Sequence, residues 1–309
     1  MAKATKRNGS ATTNGARPAL KAGMFKSPGS PFKLFRAIAS PATAKKAGAA
    51  SPFSITIRFR GGLNATQEKA FTAAAKRWTK VIVGDLPQVM VQGEVIDDVL
   101  IEAEGAPIDG PGKILGQAGP TVLRPSNAGQ AAFLPAKGIM SFDTADLAQM
   151  QKNGTLNDVI THEMGHVLGI GTIWTRKKLL KGAGTSNPTF RGKKTMAEFG
   201  KLKGTSPAAV PVENTGGAGT RDSHWRESVF VNELMTGFVG NAGNPLSRLT
   251  AASLQDLGYV VDLKKAEKYI LPHLMALAEK GALIAHTAPV NEGVVLPSIP
   301  IVLPKNSLQ

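Results

Sequence analysis

The amino-acid sequence predicts an α+β protein, because segments with strand periodicity and segments with helix periodicity occur in the same chain. The clearest strand is Phe53–Arg60, in which apolar and polar residues alternate. The clearest helices are Asn64–Val83 and Thr155–Leu168, in which apolar residues recur every three or four positions. The chain has 309 residues and is 42% hydrophobic, which suffices for one two-lobed domain or two small ones.

The middle of the chain alternates between strand patterns and loop patterns. Val95–Ala103 is predicted as a second strand, and the Gly- and Pro-rich residues 105–130 as a loop with a short strand near Thr121–Arg124. Ala131–Phe142 is predicted as a further strand. Residues 175–223 are predicted as a long, loop-rich insertion, because Gly, Pro and Lys occur throughout it.

The C-terminal part of the chain contains one well-delimited helix. This helix is predicted from Ser247 to Leu257 and ends at Gly258, a residue type favoured after helix ends. An amphipathic helical stretch is predicted from Leu263 to Lys280, and a Pro-punctuated tail follows it.

The net charge of +15 is concentrated in two segments. Residues 1–50 contain ten Lys or Arg and no acid, whereas residues 176–203 contain nine basic residues and one acid, Glu198. The first segment is also rich in Ala, Gly, Ser and Pro, a composition typical of disorder. We therefore predict that residues 1–50 form a basic disordered tail, which is a candidate weak binder of anionic partners.

The absence of cysteine excludes disulfides, thiolate zinc ligands and cysteine nucleophiles. No apolar run approaches the roughly 20 residues of a membrane-spanning helix, so no transmembrane segment is expected. The basic N-terminus lacks the apolar stretch of a standard signal peptide. Localisation therefore stays open between the cytoplasm and export by a non-standard route, and the oligomeric state stays open as well.

The strongest chemical signal is the sequence His-Glu-Met-Gly-His from His162 to His166, inside the second predicted helix. Residues i and i+4 of a helix project from one face, with Cβ atoms about 5–6 Å apart. This spacing allows both imidazoles to bind one zinc ion at about 2.0–2.1 Å. Glu163 can then act as general base on a water molecule at the metal without being a ligand itself.

A catalytic zinc site needs a third protein ligand and an open position. In the compact form of the motif this ligand lies six residues after His166, where this chain has Thr172, so it must come from further along. The remaining histidines are His224, His273 and His286. We favour His224, because His273 is expected to be structural and His286 lies in the predicted tail.

Four glutamates are rival third ligands, and any of them would give a His2Glu site. They are Glu198, Glu213, Glu227 and Glu233. Met235 follows His224 by eleven residues in the sequence Glu-Leu-Met-Thr-Gly. It is a candidate methionine turn that would form an apolar floor beneath the imidazoles, and the alternative is a methionine that only fills the core.

These motifs resemble the leishmanolysin family of metzincin endopeptidases (peptidase family M8), in its short bacterial-type form. The resemblance covers roughly Phe53 to Asp262 and is carried by His162–Trp174, by the delayed His224 and by Met235. Three further segments support it: Pro211–Thr220, His224–Ser228 and Leu249–Tyr259. The chain departs from the eukaryotic members, whose latency is attributed to a cysteine on the zinc, because it has no cysteine.

The resemblance implies a metzincin-like two-lobed fold, with a twisted mixed sheet and two long helices above the cleft and a smaller, mostly helical or irregular lobe below. Residues 51–174 would form the N-terminal catalytic lobe with the zinc helix, and residues 175–262 the C-terminal catalytic lobe with the third ligand and the methionine turn. Residues 263–309 would add an amphipathic helix and a Pro-rich tail. A protein or peptide substrate would lie extended in the cleft and pair with an edge strand, which we place within Ala131–Phe142.

The resulting prediction is a zinc-dependent metalloendopeptidase with one Zn²⁺ per chain, held by His162, His166 and His224. It would hydrolyse peptide bonds by direct attack of a zinc-activated water, with Glu163 as general base. The alternative is a non-catalytic zinc-containing binding or virion component, with a basic tail that binds nucleic acid or a membrane surface. Binding to an anionic partner that weakens steeply with salt, and that is lost when residues 1–50 are deleted, would favour that alternative.

Overall fold

The computed structural model describes residues 21–26, 31–110, 114–217, 219–237, 243–273, 293–295 and 299–309. They form an α+β structure, as the sequence predicts. The helices are α1 (Pro41–Lys46), α2 (Ala65–Val81), α3 (Thr144–Asn153), α4 (Leu156–Val167), α5 (Lys193–Lys203), α6 (Glu227–Phe230) and α7 (Arg248–Leu257). The strands are β1 (Gly23–Lys26), β2 (Lys33–Ile38), β3 (Ser54–Gly61), β4 (Val89–Val91), β5 (Glu94–Ile96), β6 (Val99–Ala106), β7 (Ile114–Leu123), β8 (Pro135–Asp143), β9 (Leu180–Lys181), β10 (Thr189–Phe190), β11 (Val210–Pro211), β12 (Gly293–Val295) and β13 (Ile301–Val302).

The main sheet is mixed and has the strand order β1-β2-β3-β6-β8-β7, with β12 and β13 both paired to the other side of β7. Strands β3, β6 and β8 run parallel to one another, whereas β2 and β7 run antiparallel to their inner neighbours. Two small sheets accompany it: the hairpin β4-β5, and β11-β10-β9. The mixed sheet agrees with the fold that the resemblance implies, and the two-lobed arrangement stays a prediction.

Helix α2 confirms the prediction made from its sequence and explains where it starts. The Asn64 side chain accepts hydrogen bonds from the backbone N–H groups of Thr66 and Gln67, and the Gln67 side chain accepts one from the Asn64 N–H. This capping box satisfies backbone groups that a helix start otherwise leaves free. The apolar face of α2 is buried in the main core around Trp78.

Helix α4 is fixed in place by both α2 and the sheet. The indole Nε1 of Trp78 donates to the backbone oxygen of Thr161 at 2.9 Å, which joins α2 to the middle of α4. On its other side α4 packs against β7 and β8, and Val167 lies directly against Gly138 of β8. The helix that carries the histidine pair is therefore anchored on two sides within the core.

The prediction that residues 1–50 are a disordered tail is wrong for the part that the structure describes. The whole of strand β2 pairs with Ser54–Phe59 of β3, and its Leu34 and Phe35 are buried. The side chain of Arg36 donates to the Thr56 hydroxyl. Lys33 and Arg36 therefore lie in an ordered strand, and local composition does not reveal this because β3 supplies the pairing partners. Residues 1–20 lie outside the described residues.

The sequence placed the edge of the sheet in the wrong strand. Strand β8, which occupies most of Ala131–Phe142, lies between β6 and β7 and is paired on both sides. Strand β7 is ten residues long, although only a short strand near Thr121–Arg124 was predicted, and the second predicted strand divides into β5 and β6. The error arises because strand neighbours are set by tertiary pairing, which sequence periodicity does not encode.

The predicted loop-rich insertion, residues 175–223, contains a helix and a small sheet. Helix α5 has no side-chain cap of its own at Gly192. Instead, the Asp256 carboxylate from α7 accepts hydrogen bonds from the backbone N–H groups of Lys194 and Thr195. The cap comes from a residue about sixty positions away, so the local sequence carries no start signal for this helix.

The predicted amphipathic helix from Leu263 is wrong over the described residues 263–273. Only Leu263–Lys265 form a 3₁₀ turn, and the chain then continues without helix. Glu267 accepts hydrogen bonds from Arg77 and from the Leu246 N–H, and the Tyr269 hydroxyl donates to the Phe230 oxygen. These tertiary contacts hold the segment against the core in a non-helical conformation. The rest of the stretch, 274–280, lies outside the described residues.

Among the described residues, no helix combines the length and the apolar composition needed to cross a bilayer.

Candidate metal centre

Helix α4 ends at the point where the candidate site begins. Gly169 follows the helix with φ of +105°, a conformation that favours glycine. The N–H groups of Gly169 and Ile170 donate back to the carbonyl oxygens of His166 and Gly165, which closes the last turn. The chain can therefore leave the helix abruptly beyond His166 and leave the histidine face open to the rest of the site.

The structure brings three histidines together: His162 and His166 from α4, and His224 from the chain beyond the insertion. Their Nε2 atoms lie 3.0 Å (His162–His166), 3.0 Å (His162–His224) and 2.9 Å (His166–His224) apart. All three side chains are buried. Within the described part of the chain, these rings form a group able to hold a metal ion, and none of the four rival glutamates belongs to it.

The opposite ring nitrogen of each histidine faces a backbone oxygen. Nδ1 of His162 lies 2.7 Å from the Leu234 oxygen, Nδ1 of His166 lies 2.9 Å from the Ile170 oxygen, and Nδ1 of His224 lies 2.9 Å from the Thr220 oxygen. A carbonyl oxygen only accepts, so each Nδ1 must carry the proton. These contacts fix both the tautomer and the orientation of the three rings.

The protonated Nδ1 atoms leave three unprotonated Nε2 atoms that converge on one point. These Nε2 atoms lie within 3.0 Å of one another, so their lone pairs repel unless a cation lies between them. Tetrahedral zinc with ligands at about 2.0–2.1 Å would place the nitrogen atoms about 3.3 Å apart. The observed spacing therefore fits a zinc ion after an opening of a few tenths of an ångström.

Burial keeps the three rings neutral, as ligands must be. Desolvation lowers the pKa of His162 to about 3 and the pKa of His166 to about 4. The pKa of His224 is also lowered, first by desolvation and then by the neighbouring charges of His166 and His162. The site therefore presents three neutral nitrogen donors near neutral pH.

His224 is positioned by an aromatic core that surrounds the next residue. Trp225 stacks on Trp174 with 4.8 Å between ring centroids, and Phe190 meets it edge-on. On the near side, Gly171 lies so close to Ser223 that a Cβ at Gly171 would be 2.1 Å from the Ser223 oxygen. The segment after α4 and the segment before His224 therefore require this glycine in order to meet.

Glu163 is buried beside the histidines and has one oxygen without a partner. Its Oε2 makes no hydrogen bond within the described residues. Desolvation raises the pKa of Glu163 to about 8. A buried carboxylate without a structural partner is costly, and a positive charge at the three nitrogens would lower its pKa again. These features fit a group that acts on a proton rather than one that stabilises the fold.

Met235, the candidate methionine turn, packs against the helix that carries the histidine pair. A Cβ placed on Gly165 would be 2.7 Å from the Met235 sulfur and 3.0 Å from Cζ2 of Trp78. Gly165 stands between the two histidines of α4, so Met235 occupies the floor under that pair. The sequence alone does not indicate that Gly165 is needed to admit the methionine.

We expect Gly165→Ala to destabilise the protein, although alanine favours helix by about 1 kcal/mol over glycine. The new methyl group has no space, and overpacking of a filled core costs about 1–3 kcal/mol. Thermal unfolding should show a lower midpoint for Gly165→Ala. Gly217→Ala is the control, because nothing lies within 4 Å of a Cβ at that exposed position. A midpoint at or above the wild-type value for Gly165→Ala would contradict this packing.

Three of the four rival ligands have other roles in the structure. Glu198 forms ion pairs with Arg248 and Lys201. Glu213 accepts hydrogen bonds from the Thr215 hydroxyl and the Glu227 N–H. Glu233 accepts a hydrogen bond from the Met235 N–H, and Glu227 does not belong to a metal-binding group of the described residues.

The remaining histidines are not part of the site that the structure describes. His273 is exposed, and the described metal-binding group does not include it. His286 lies outside the described residues. The three carbonyl oxygens at Leu234, Ile170 and Thr220 were missed by sequence reasoning, because a backbone acceptor has no residue-type signature.

Part of the chain matches a known protein family. Residues 129–275 match the model of the family described as leishmanolysin. The leishmanolysin of Leishmania donovani is 30% identical over 143 residues, which are 43% of this chain and 24% of that protein. A leishmanolysin homolog of Crithidia fasciculata is 27% identical over 133 residues, which are 40% of this chain and 20% of that protein. The matched segments thus span about a quarter or less of these relatives.

Proposed function

We propose that this chain, which is leishmanolysin-like, is a zinc-dependent metalloendopeptidase. The observation that carries the proposal is the convergence of three unprotonated Nε2 atoms beside a buried carboxylate. His162, His166 and His224 would hold one Zn²⁺, and Glu163 would be the general base. A purely structural zinc site has no use for the unpartnered oxygen of Glu163.

The residues of the chain divide the chemistry between them. When bound, zinc lowers the pKa of water toward about 7 and polarises a carbonyl group. Glu163 removes the proton from the attacking water and delivers it to the leaving amine. The Nδ1 contacts to Leu234, Ile170 and Thr220 keep the rings in the ligand tautomer through the cycle.

We further propose that protein or peptide substrates lie extended between two lobes. The sheet with α2 and α4 would form the upper wall, and the segment with His224 and Met235 the lower one. What supports this arrangement is that the ligands come from both parts of the chain: two from α4, and the third from beyond the insertion. Water would enter with the substrate on the side that Glu163 faces.

Metal removal tests the proposed function directly. We expect the purified chain to contain about one zinc ion per molecule by mass spectrometry and to cleave casein. A chelator should abolish cleavage, and added Zn²⁺, but not Mg²⁺, should restore it, because imidazole nitrogens favour zinc over the harder cation. Casein cleavage that persists in the metal-free protein would refute the proposal.

A further inference from the structure

Glu233 is a buried carboxylate in the loop that leads into the methionine turn, and it is only 1% exposed. Its Oε2 accepts a hydrogen bond from the Met235 backbone N–H at 2.7 Å. Its Oε1 accepts from the Ser247 N–H at 3.2 Å, from the Ser247 hydroxyl at 2.6 Å and from the Thr250 hydroxyl at 2.6 Å. The carboxylate therefore fastens this loop to the first turn of α7.

The hydrogen bond between Glu233 and the Met235 N–H is connected to His162 through a single peptide group. The peptide between Leu234 and Met235 is planar, so its N–H and its C=O point in opposite directions as one rigid unit. Glu233 holds the N–H end, and the C=O end lies 2.7 Å from Nδ1 of His162. Any rotation of this peptide would move the oxygen that orients the His162 ring.

A second path leads to the residue that follows the third histidine. The Thr250 hydroxyl, which donates to Glu233, also accepts from the indole Nε1 of Trp225 at 2.8 Å. The Trp225 backbone N–H donates to the Met235 oxygen at 2.9 Å. Glu233 is therefore linked to the neighbours of two of the three histidines, although it belongs to no metal-binding group in the described part of the chain.

We propose that Glu233 is a positioning residue for the metal centre: it fixes the Leu234–Met235 peptide so that the Leu234 oxygen orients His162. This inference rests on the proposed function, because orientation matters only if His162 is a ligand. It replaces the role of rival ligand that the sequence left open for Glu233.

Glu233→Gln separates positioning from simple space filling. The amide has almost the same shape as the carboxylate, but one of its two ends becomes a donor. The oxygen of the amide will face the three donors of Ser247 and Thr250. In the reverse orientation the NH₂ group, itself a donor, would face all three of them. The NH₂ end then faces the Met235 N–H, and the bond that holds the peptide is lost.

We expect Glu233→Gln to weaken zinc binding about 10-fold, at the low end of the range for groups that orient metal ligands. Competition with a chromophoric chelator measures this dissociation constant. The absorption spectrum of the Co²⁺-substituted protein should shift, because the His162 ring is released. For a peptide substrate, kcat should fall while KM stays within about twofold, since substrate contacts are unchanged.

The matched control is Glu198→Gln, a second buried carboxylate that ties α7 to a neighbouring element through Arg248. This variant should lower the thermal midpoint and leave zinc affinity and the Co²⁺ spectrum unchanged. If Glu233→Gln behaves in the same way, Glu233 is only structural and the inference is wrong.

Two further measurements keep the test decisive. If Glu233→Gln does not fold, Glu233→Asp replaces it, because the shorter side chain keeps the charge but cannot reach from the Met235 N–H to Ser247 and Thr250. Zinc affinity about threefold weaker would support the inference, and unchanged affinity would overturn it. Wild-type protein that binds no zinc would refute the proposed function instead, so the two failures are distinguishable.

Discussion

Glu163→Gln should abolish peptide hydrolysis while leaving the zinc in place. Glu163 lies beside the three histidines but outside the group that can hold the metal. Glutamine has nearly the same shape as glutamate and cannot accept a proton, so the attacking water loses its base. We expect kcat/KM for a peptide substrate to fall about 10²–10⁴-fold, the usual contribution of a general base.

The stability of the Glu163→Gln variant gives a second readout. Burial raises the pKa of Glu163 to about 8 because desolvation disfavours the charged form. A neutral amide avoids that penalty, so the thermal midpoint of the metal-free variant should equal or exceed the wild-type value. Zinc content, measured on the same preparation, should stay near one per chain.

Glu198→Gln is the control for this variant as well. Its carboxylate is also buried, but it pairs with Arg248 and Lys201 away from the histidines. This variant should lose stability and keep its turnover. Wild-type kcat/KM in zinc-loaded Glu163→Gln would exclude Glu163 as the base.

His224→Ala should remove both the zinc and the activity. The substitution leaves two Nε2 donors on α4 and takes away the third, which lies within 3.0 Å of both. Loss of a direct ligand should exceed the 10–100-fold effect of groups that only orient ligands, so we expect zinc affinity to fall at least about 100-fold. Casein cleavage at ordinary zinc concentrations should fall to background.

His273→Ala is the matched control for His224→Ala, because His273 is exposed and lies outside the described metal-binding group. It should keep wild-type zinc affinity and activity. His224→Glu adds a sharper comparison, since a carboxylate at this position would create the His2Glu set that occurs in other zinc peptidases. Unchanged zinc affinity in His224→Ala would mean that another residue supplies the third donor.

The histidine pair of the candidate site was predictable because its signature is local. The i, i+4 spacing of His162 and His166 needs only a helix, and the sequence around them forms one. His224 followed from the small number of histidines in the chain, and Met235 from its position shortly after His224. The structure brings all four to one place, and their roles in catalysis stay a proposal.

The elements that were predicted well contain their own start and stop signals. Helix α2 has a capping box, and α7 has Ser247 at its start and Gly258, with φ of +119°, at its end. Strand β3 alternates cleanly because one face packs on α2. In each case a few neighbouring residues determine the backbone, so the sequence needed no knowledge of distant contacts.

Only the tertiary structure decided the features whose hydrogen-bond partners are remote in sequence. The cap of α5 comes from Asp256, the pairing of β2 comes from β3, and the neighbours of β8 come from β6 and β7. The same holds for the Leu234 oxygen on His162 and for the Glu233 carboxylate behind it. Residue type and spacing thus determined which side chains could bind a metal, whereas chain folding determined their tautomers and orientations, because the groups that hold them are backbone atoms brought from elsewhere.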